Sequence, residues 1–207
     1  MSYRPPETTA QPPSVKLRGH FNRTSSENDL RHRFTWGSLY ELPFGKGRKF
    51  LGSNPLRRIV GGWSVGSVAV LQSGAPFTVN MQTNTTNAFS AGSLRADVLR
   101  NPNLPNDQRS LFRWFGTDAF RAPAAYRFGN QGINILRGDG KVNFDFSILR
   151  NFVFSETKHL QFRAELFNAF NHPNFGLPGQ NLGAAGFGVV SSSDPGRRVQ
   201  LGLRMVY

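Results

Sequence analysis

The sequence predicts an all-β chain: an antiparallel meander of about five strands, joined by connections that alternate between short and long. Three observations predict it. Five segments alternate apolar and polar side chains with period two. The apolar positions are rich in plain rings and aliphatics, with 19 Phe against 4 Tyr and 3 Trp, so bulky groups are placed where no polar handle is needed. The stretches between the segments are punctuated by Gly and Pro, 22 and 13 in all, which mark turns and loops.

Residues 1–30 are polar and rich in Pro, Ser and Thr, and read as loop or disorder. Over 31–43, His32, Phe34, Trp36, Ser38 and Tyr40 share one face, while Arg33, Thr35, Gly37, Leu39 and Glu41 share the other. Pro43 and Gly45 end this strand. A basic connection over 44–61 holds Lys46, Arg48, Lys49, Arg57 and Arg58. The second strand is expected over 63–79, with Trp63, Val65, Ala69 and Leu71 on one face and a bend or bulge at Gly74 and Pro76. Residues 80–140 show no periodicity. A connection this long is either a functional loop or a folded-over lid.

The last third alternates most clearly. In 141–154 the apolar Val142, Phe144, Phe146, Ile148, Phe152 and Phe154 interleave with Asn143, Asp145, Ser147 and Asn151; Arg150 is the exception on the apolar side. Residues 155–158 are a short polar turn of the kind that joins a hairpin. In 159–171, Leu160, Phe162, Ala164, Leu166 and Phe170 alternate with His159, Gln161, Arg163 and Glu165. An amphipathic helix is the alternative here, because Phe162, Leu166 and Phe170 also recur every fourth residue. After a Gly- and Asn-rich loop over 172–196, the final strand 197–207 places Val199, Leu201, Leu203, Met205 and Tyr207 against Arg198, Gln200, Gly202 and Arg204.

Alternation alone fits a soluble β-sandwich binding module as well as a membrane barrel. Three features favour the barrel. The segments are long: 141–154 is 14 residues and 197–207 is 11, where a tilted membrane-crossing strand needs about 9–11. One face is greasy and the other carries Asn143, Asp145, Gln161, Arg163, Glu165, Gln200 and Arg204, as a lipid-facing exterior and a wet lumen require. The long connections 80–140 and 172–196 fall on one side of the meander and the short turn 155–158 on the other, which matches extracellular loops and periplasmic turns. The 44–61 connection is then periplasmic and long for that side.

Net charge is +13 with a pI near 11.3. That balance fits a nucleic-acid binder, but the basic residues are scattered and no nucleic-acid motif accompanies them, so no nucleic acid is expected as a partner. Four His show no metal-ligand spacing, and neither a nucleophile elbow nor a phosphate loop is present. With no Cys there is no disulfide or thiolate chemistry. No enzyme activity and no cofactor are expected. Asp145 and Glu165 can approach each other across the 155–158 hairpin, where neighbouring Arg163 and Arg204 make them offset charges rather than an acid–base pair. Arg137-Gly138-Asp139 matches a cell-adhesion tripeptide only as three residues of a Gly-rich loop. The first residues lack an apolar stretch, so no signal peptide is expected.

Several segments carry a family resemblance. They are Leu30-Arg31-His32-Arg33-Phe34, Glu41-Leu42-Pro43-Phe44-Gly45-Lys46-Gly47, Gly62-Trp63-Ser64-Val65-Gly66, Gln72-Ser73-Gly74-Ala75-Pro76-Phe77-Thr78-Val79, Phe128-Gly129-Asn130 and the run Phe162-Arg163-Ala164-Glu165-Leu166-Phe167-Asn168-Ala169-Phe170-Asn171-His172-Pro173-Asn174-Phe175. From about Leu30 to Tyr207 the chain resembles the C-terminal barrel region of TonB-dependent receptors of the Oar-like type, which carry an N-terminal carboxypeptidase-regulatory-like domain. The resemblance implies an outer-membrane barrel of roughly 22 strands closed around a plug and energised import through an inner-membrane partner, or binding at the surface. It makes the chain a segment of such a receptor, without plug or TonB-contacting box, that does not transport alone: a gene fragment or truncated reading frame. Its partners are then outer-membrane lipid, the rest of the barrel and the plug, the barrel assembly machinery and an extracellular ligand held by loops such as 80–140.

In barrels of this kind the final strand is what the assembly machinery reads, by adding it to its own sheet edge. Val199, Leu201, Leu203, Met205 and Tyr207 are the candidate signal. Residues 141–207 grafted in place of the matching end of a full-length receptor should insert into the outer membrane, and Tyr207→Ala or loss of Tyr207 should reduce insertion. If both altered grafts insert as well as the parent graft, the terminal alternation is packing and not a signal.

Overall fold

Period-two segments become strands wherever a neighbour can take up their backbone hydrogen bonds. In the computed structural model, which describes residues 26, 28–44, 49–50, 61–86, 94–155 and 157–207, eleven strands follow in order. They are β1 (Arg33–Glu41), β2 (Trp63–Gln72), β3 (Pro76–Phe77), β4 (Asn80–Met81), β5 (Asp97–Val98), β6 (Phe120–Arg121), β7 (Leu136–Arg137), β8 (Lys141–Val153), β9 (His159–Phe167), β10 (Asn181–Leu182) and β11 (Arg198–Val206). Among the described residues the only helical elements are two 3-10 turns, Asn106–Gln108 and Thr117–Ala119.

The five long strands form one antiparallel sheet in the order β1-β2-β8-β9-β11. Each pairs with the next long strand in the chain, so the meander expected from the alternation is the observed topology. The short strands form three pairs: β3 with β7 and β5 with β6, both antiparallel, and β4 with β10, parallel. The hairpin turn between β8 and β9 is closed by Phe154 N–H donating to the Lys158 carbonyl at 3.0 Å and Lys158 N–H to Ser155 Oγ at 3.2 Å.

The register divides the sheet into two unlike faces, because directly opposed residues point the same way. One row runs Trp36, Ala69, Phe144; the next Ser38, Ser67, Phe146, Leu166, Val199; the next Tyr40, Val65, Ile148, Ala164, Leu201. Phe144 and Phe146 therefore share a face. Ser38 and Ser67 are directly opposed within this apolar field, and their hydroxyls hydrogen-bond each other at 3.0 Å, which satisfies both groups without water. The other face carries Arg33, Glu41, Lys141, Asn143, Asp145, Asn151, Gln161, Arg163, Glu165, Arg198, Gln200 and Arg204, with a minority of apolar residues such as Leu39 and Val68.

Several strand boundaries differ from those the sequence suggests. β2 ends at Gln72 instead of 79. There the chain passes so close to the Gly138 carbonyl that no Cβ fits at Gly74, and Pro76, which has no N–H to give the sheet, pairs through β3 with β7. β9 is a strand and not a helix, and it stops at Phe167 instead of 171. Asn168 (φ 49°) and Asn171 (φ 54°) turn the chain in the left-handed region, which Asn tolerates better than most residues. β1, β8 and β11 are each shorter than expected by one to four residues. The described residues of the 80–140 connection, 80–86 and 94–140, are folded through short paired strands and two 3-10 turns. The basic cluster at Lys46, Arg48, Arg57 and Arg58 and the polar stretch 1–25 lie outside the described residues.

Among the described residues the protein core is not in the sheet. Of the buried apolar residues only Ala69 belongs to it; Phe77, Val79, Ala96, Phe115, Ala119, Phe120, Leu136 and Val190 belong to the connections and their short strands. Val199, Leu201, Leu203 and Met205 are 61–71% exposed, and Phe34, Trp36 and Tyr40 on the same face are exposed as well. An apolar field of this extent far exceeds the few hundred Å2 that a soluble monomer tolerates. The purified chain is therefore expected to aggregate in plain buffer and to disperse only in detergent. A monodisperse monomer that unfolds cooperatively without detergent, read by light scattering and circular dichroism, would contradict this.

Candidate functional site

The two long connections, 73–140 and 168–197, leave the same end of the sheet, and their described residues (73–86, 94–140 and 168–197) pack on each other as a cap. Its centre is a ring cluster. Phe115 meets Phe77 at 5.8 Å, Phe120 at 5.7 Å and Phe187 at 5.2 Å between centroids, mostly edge to face, the arrangement that the ring quadrupoles favour. Val79, Ala96, Ala119 and Leu136 complete the buried cluster, with Met81, Val98, Trp114 and Leu182 against it. The parallel pair β4–β10 joins the first connection to the second, and Asn80 N–H donates to the Gln180 carbonyl at 2.9 Å.

Arg137 ties the cap to the chain ahead of β1. Its guanidinium donates to Asp29 Oδ2 at 2.8 Å, to the Asp29 carbonyl at 2.9 Å and to the Gly74 carbonyl at 3.2 Å, while its own carbonyl accepts from Trp114 Nε1 at 2.9 Å. These contacts occupy the arginine of the Arg137-Gly138-Asp139 tripeptide, so that match is part of the cap's framework. On the exposed side, Asp118 accepts a hydrogen bond from Arg100 and lies 3.6 Å from Arg113. The hydrogen bond from Arg100 holds its carboxyl below the ordinary carboxylate range. The pair is solvated, so it orients the turn more than it stabilises it.

The run from Phe162 to Phe175 forms the corner on which the second connection folds back. Asn168 is buried; its N–H donates to Asp145 Oδ1 at 2.8 Å, its Oδ1 accepts from His172 N–H at 3.0 Å and its Nδ2 donates to the His172 carbonyl at 2.9 Å. Asn174, also buried, accepts from Val142 N–H at 2.8 Å. Lys141 Nζ and Asp194 Oδ2, 2.6 Å apart, close the same corner. A recess of about 310 Å3 opens here, lined by Lys141, Asn143, Asp145, Asn168, Asp194 and Arg198 among others. It lies where the polar face of the sheet meets the cap.

The residues predicted from sequence fall as follows. Asn143, Asp145, Gln161, Arg163, Glu165, Gln200 and Arg204 all lie on the polar face. Arg163 and Glu165 pair at 2.6 Å, and Gln161 Nε2 donates to Asn151 Oδ1 at 3.1 Å. Asp145 is held by Asn168 and not by Glu165, so the two carboxylates have separate partners. Val199, Leu201, Leu203 and Met205 lie on the apolar face of edge strand β11, and Tyr207, 90% exposed, follows it. Sequence reasoning missed the buried Asn168 and Asn174, the Arg137 tie and the ring cluster. The two asparagines had a signal, since they sit in the segment that carries the strongest family resemblance.

A sequence model of the family described as "Outer membrane beta barrel domain" matches residues 4–200. The chain belongs to this family. Comparison with curated proteins and with solved structures gives no match. As an outer-membrane barrel domain, the five-stranded sheet is a segment of barrel that lies in the outer membrane in contact with lipid, which displaces the soluble-sandwich alternative. No helix among the described residues is long and apolar enough to cross a membrane, but a barrel crosses with strands.

Phe115 is 1% exposed and touches three other rings. Phe115→Ala should cost the cap about 3–5 kcal/mol. Limited proteolysis in detergent should then cut within 73–140 much faster than in the parent, while the far-UV strand signal persists. Equal resistance in the two proteins would show that the cluster does not hold the cap together.

Proposed function

We propose that the chain is part of the barrel of a TonB-dependent, Oar-like outer-membrane receptor. The polar face lines the lumen, the apolar face meets lipid, and the cap stands outside the cell as a ligand-contacting surface. One observation carries the orientation: both long connections leave one end of the sheet and the five-residue turn 154–158 leaves the other, the asymmetry of outer-membrane barrels. The quoted sequence segments support the receptor assignment. So does a polar recess at the junction of lumen and cap, where a ligand entering the barrel would first meet charged groups.

The role is that of barrel structure and contact surface, with no catalytic step. The assembly machinery, a plug and further strands are its partners within a receptor, and an extracellular ligand is its partner outside. The exposed part of the cap suits contact. Phe112, 84% exposed, sits at the tip of a tight turn in which Ser110 and Arg113 exchange backbone hydrogen bonds at 3.0 and 3.1 Å. A ring held on so short a turn loses little freedom when it binds.

The absence of Cys makes the orientation directly testable. Phe112→Cys should react with a membrane-impermeant maleimide on intact cells, and Ser155→Cys only after the outer membrane is opened. The reverse pattern would invert the barrel. For the receptor assignment, the graft of residues 141–207 into a full-length receptor should restore uptake of that receptor's ligand, dependent on the energised inner-membrane partner. A graft that inserts but never transports would leave the barrel standing and remove the receptor reading.

A further inference from the structure

The recess at the corner of sheet and cap is lined by two cations and two anions, and one of each is already paired. Lys141 and Asp194 meet at 2.6 Å. Asp145 and Arg198 remain, and among the described residues neither has an ion-pair partner, in each other or elsewhere. Asp145 Oδ1 accepts from Asn168 N–H at 2.8 Å, which leaves the second oxygen and the charge unanswered. The Arg198 guanidinium lies over the Phe167 ring, 5.7 Å from its centroid. A ring engages the flat face of a guanidinium and leaves the N–H donors in its plane unused.

The register places the two charges across a gap. Continuing the β8–β9 ladder one step beyond Phe146 and Leu166 sets Asp145 opposite Phe167, and Phe167 pairs with Arg198 of β11. Asp145 and Arg198 thus stand in one row of the polar face with a ring between them. Two strand spacings put their Cα atoms about 10 Å apart. Asn174 adds a donor. It is 5% exposed, and its Oδ1 accepts from Val142 N–H at 2.8 Å. That bond fixes which way the amide points. Its Nδ2 is left for the recess it lines and has no partner among the described residues. A half-buried carboxylate without a counter-ion is costly. A ligand of one sign would answer one end of this row only, and a ligand carrying both signs answers both. At about 310 Å3 the space is at the small end of ligand pockets.

We propose that the recess binds a small zwitterion, a free amino acid or a short peptide. Its ammonium group sits on Asp145, its carboxylate takes the fork of N–H donors of Arg198, and Asn174 Nδ2 donates to a ligand oxygen. The proposal deepens the receptor reading by naming the ligand class of the same recess, and its test is independent of barrel orientation and of transport.

The full 207-residue chain in detergent micelles is titrated calorimetrically with alanyl-alanine, its N-acetyl form, its C-terminal amide and alanine. One alanyl-alanine should bind per chain, about tenfold or more tighter than either blocked form. Asp145→Asn keeps an acceptor for Asn168 N–H but loses the charge, and should bind alanyl-alanine no better than the N-acetyl form. Arg198→Gln should bind it no better than the amide. Arg121→Gln, which removes a positive charge from the cap, should change nothing. Equal binding of blocked and unblocked dipeptide by the parent, or no binding of any of them, overturns the site. Tight binding of one blocked form makes it a site for a single charge and overturns the zwitterion. Undiminished binding by either site variant overturns the roles given to Asp145 and Arg198. Alanine separates the two sources: affinity equal to the dipeptide's assigns the site to free amino acids, and weaker affinity assigns it to peptides. If a site variant lacks the parent's far-UV strand signal, the parent's comparison of the four ligands decides alone. A failure here leaves the labelling and graft tests of the receptor reading standing, and a failure of those leaves this binding standing.

Discussion

Backbone hydrogen bonding across β1, β2, β8, β9 and β11 is the constraint on which the rest depends. In hydrocarbon there is no water to take an unpaired N–H or C=O, so every group must be paired strand to strand. Pairing of that kind fixes the register, and the register fixes which side of the sheet each residue occupies. A slip of one residue between β8 and β9 would move Leu160, Phe162, Ala164 and Leu166 to the polar side and bring Gln161, Arg163 and Glu165 out into lipid. The side-chain pattern thus reinforces the backbone pairing at every second position. The same medium explains the details. The two serines on the apolar face hydrogen-bond each other, and Arg150 there is stacked between the Phe152 and Trp63 rings.

The cap follows the opposite rule. Its connections fold as soluble protein does, with Phe115 and Leu136 inside and Arg100, Arg121 and Arg127 outside. This division explains why the buried core and the long strands are in different parts of one chain. Hydrogen-bonded joints among the described residues connect them. The first is Arg137, which reaches Asp29 ahead of β1; the second is the Asn168 and Asn174 corner, which binds the second connection to Asp145 and Val142 of β8. The polar recess lies beside the second joint. Its lining draws on the sheet and the cap together.

How much of this is legible in sequence depends on the period of the signal. The hairpin of β8 and β9 is plain, because Val142 to Phe152 and Leu160 to Leu166 repeat every two residues over lengths that a membrane requires. The cap is opaque, because its strands β3 to β7 and β10 are two residues long and cannot display a period. Its core draws on residues as far apart as Phe77 and Phe187, and nothing local announces that they meet. The end of β9 is legible only in part. Leu166 and Phe170 keep an apolar spacing, but Asn168 between them takes a left-handed conformation and ends the strand. Phe170 still reaches the apolar face and packs edge-on against Phe144 and Phe146 at 5.1 and 6.0 Å, so the pattern reports its destination correctly and its backbone wrongly. The polar-face residues are legible by parity alone. Their partners are not, as Asp145 shows by bonding to Asn168 and not to a charge across the hairpin.

The two edges of the sheet carry the argument one step further. Among the described residues, β1 and β11 are the edge strands of the sheet, with no strand paired to their outer sides, and their residues are exposed almost throughout. Membrane barrels have at least about eight strands, so five strands make an arc, and in hydrocarbon an open edge is as costly as an unpaired helix turn. Both edges must therefore be paired by further strands. The register constrains those strands. Beside β11, a partner must set apolar residues opposite Val199, Leu201, Leu203 and Met205 and polar ones opposite Arg198, Gln200 and Arg204. Beside β1, it must set apolar residues opposite Phe34, Trp36 and Tyr40. A strand offset by one residue would satisfy the backbone but place polar side chains in lipid. The side-chain pattern of the edges thus selects the register of the neighbours that complete the barrel.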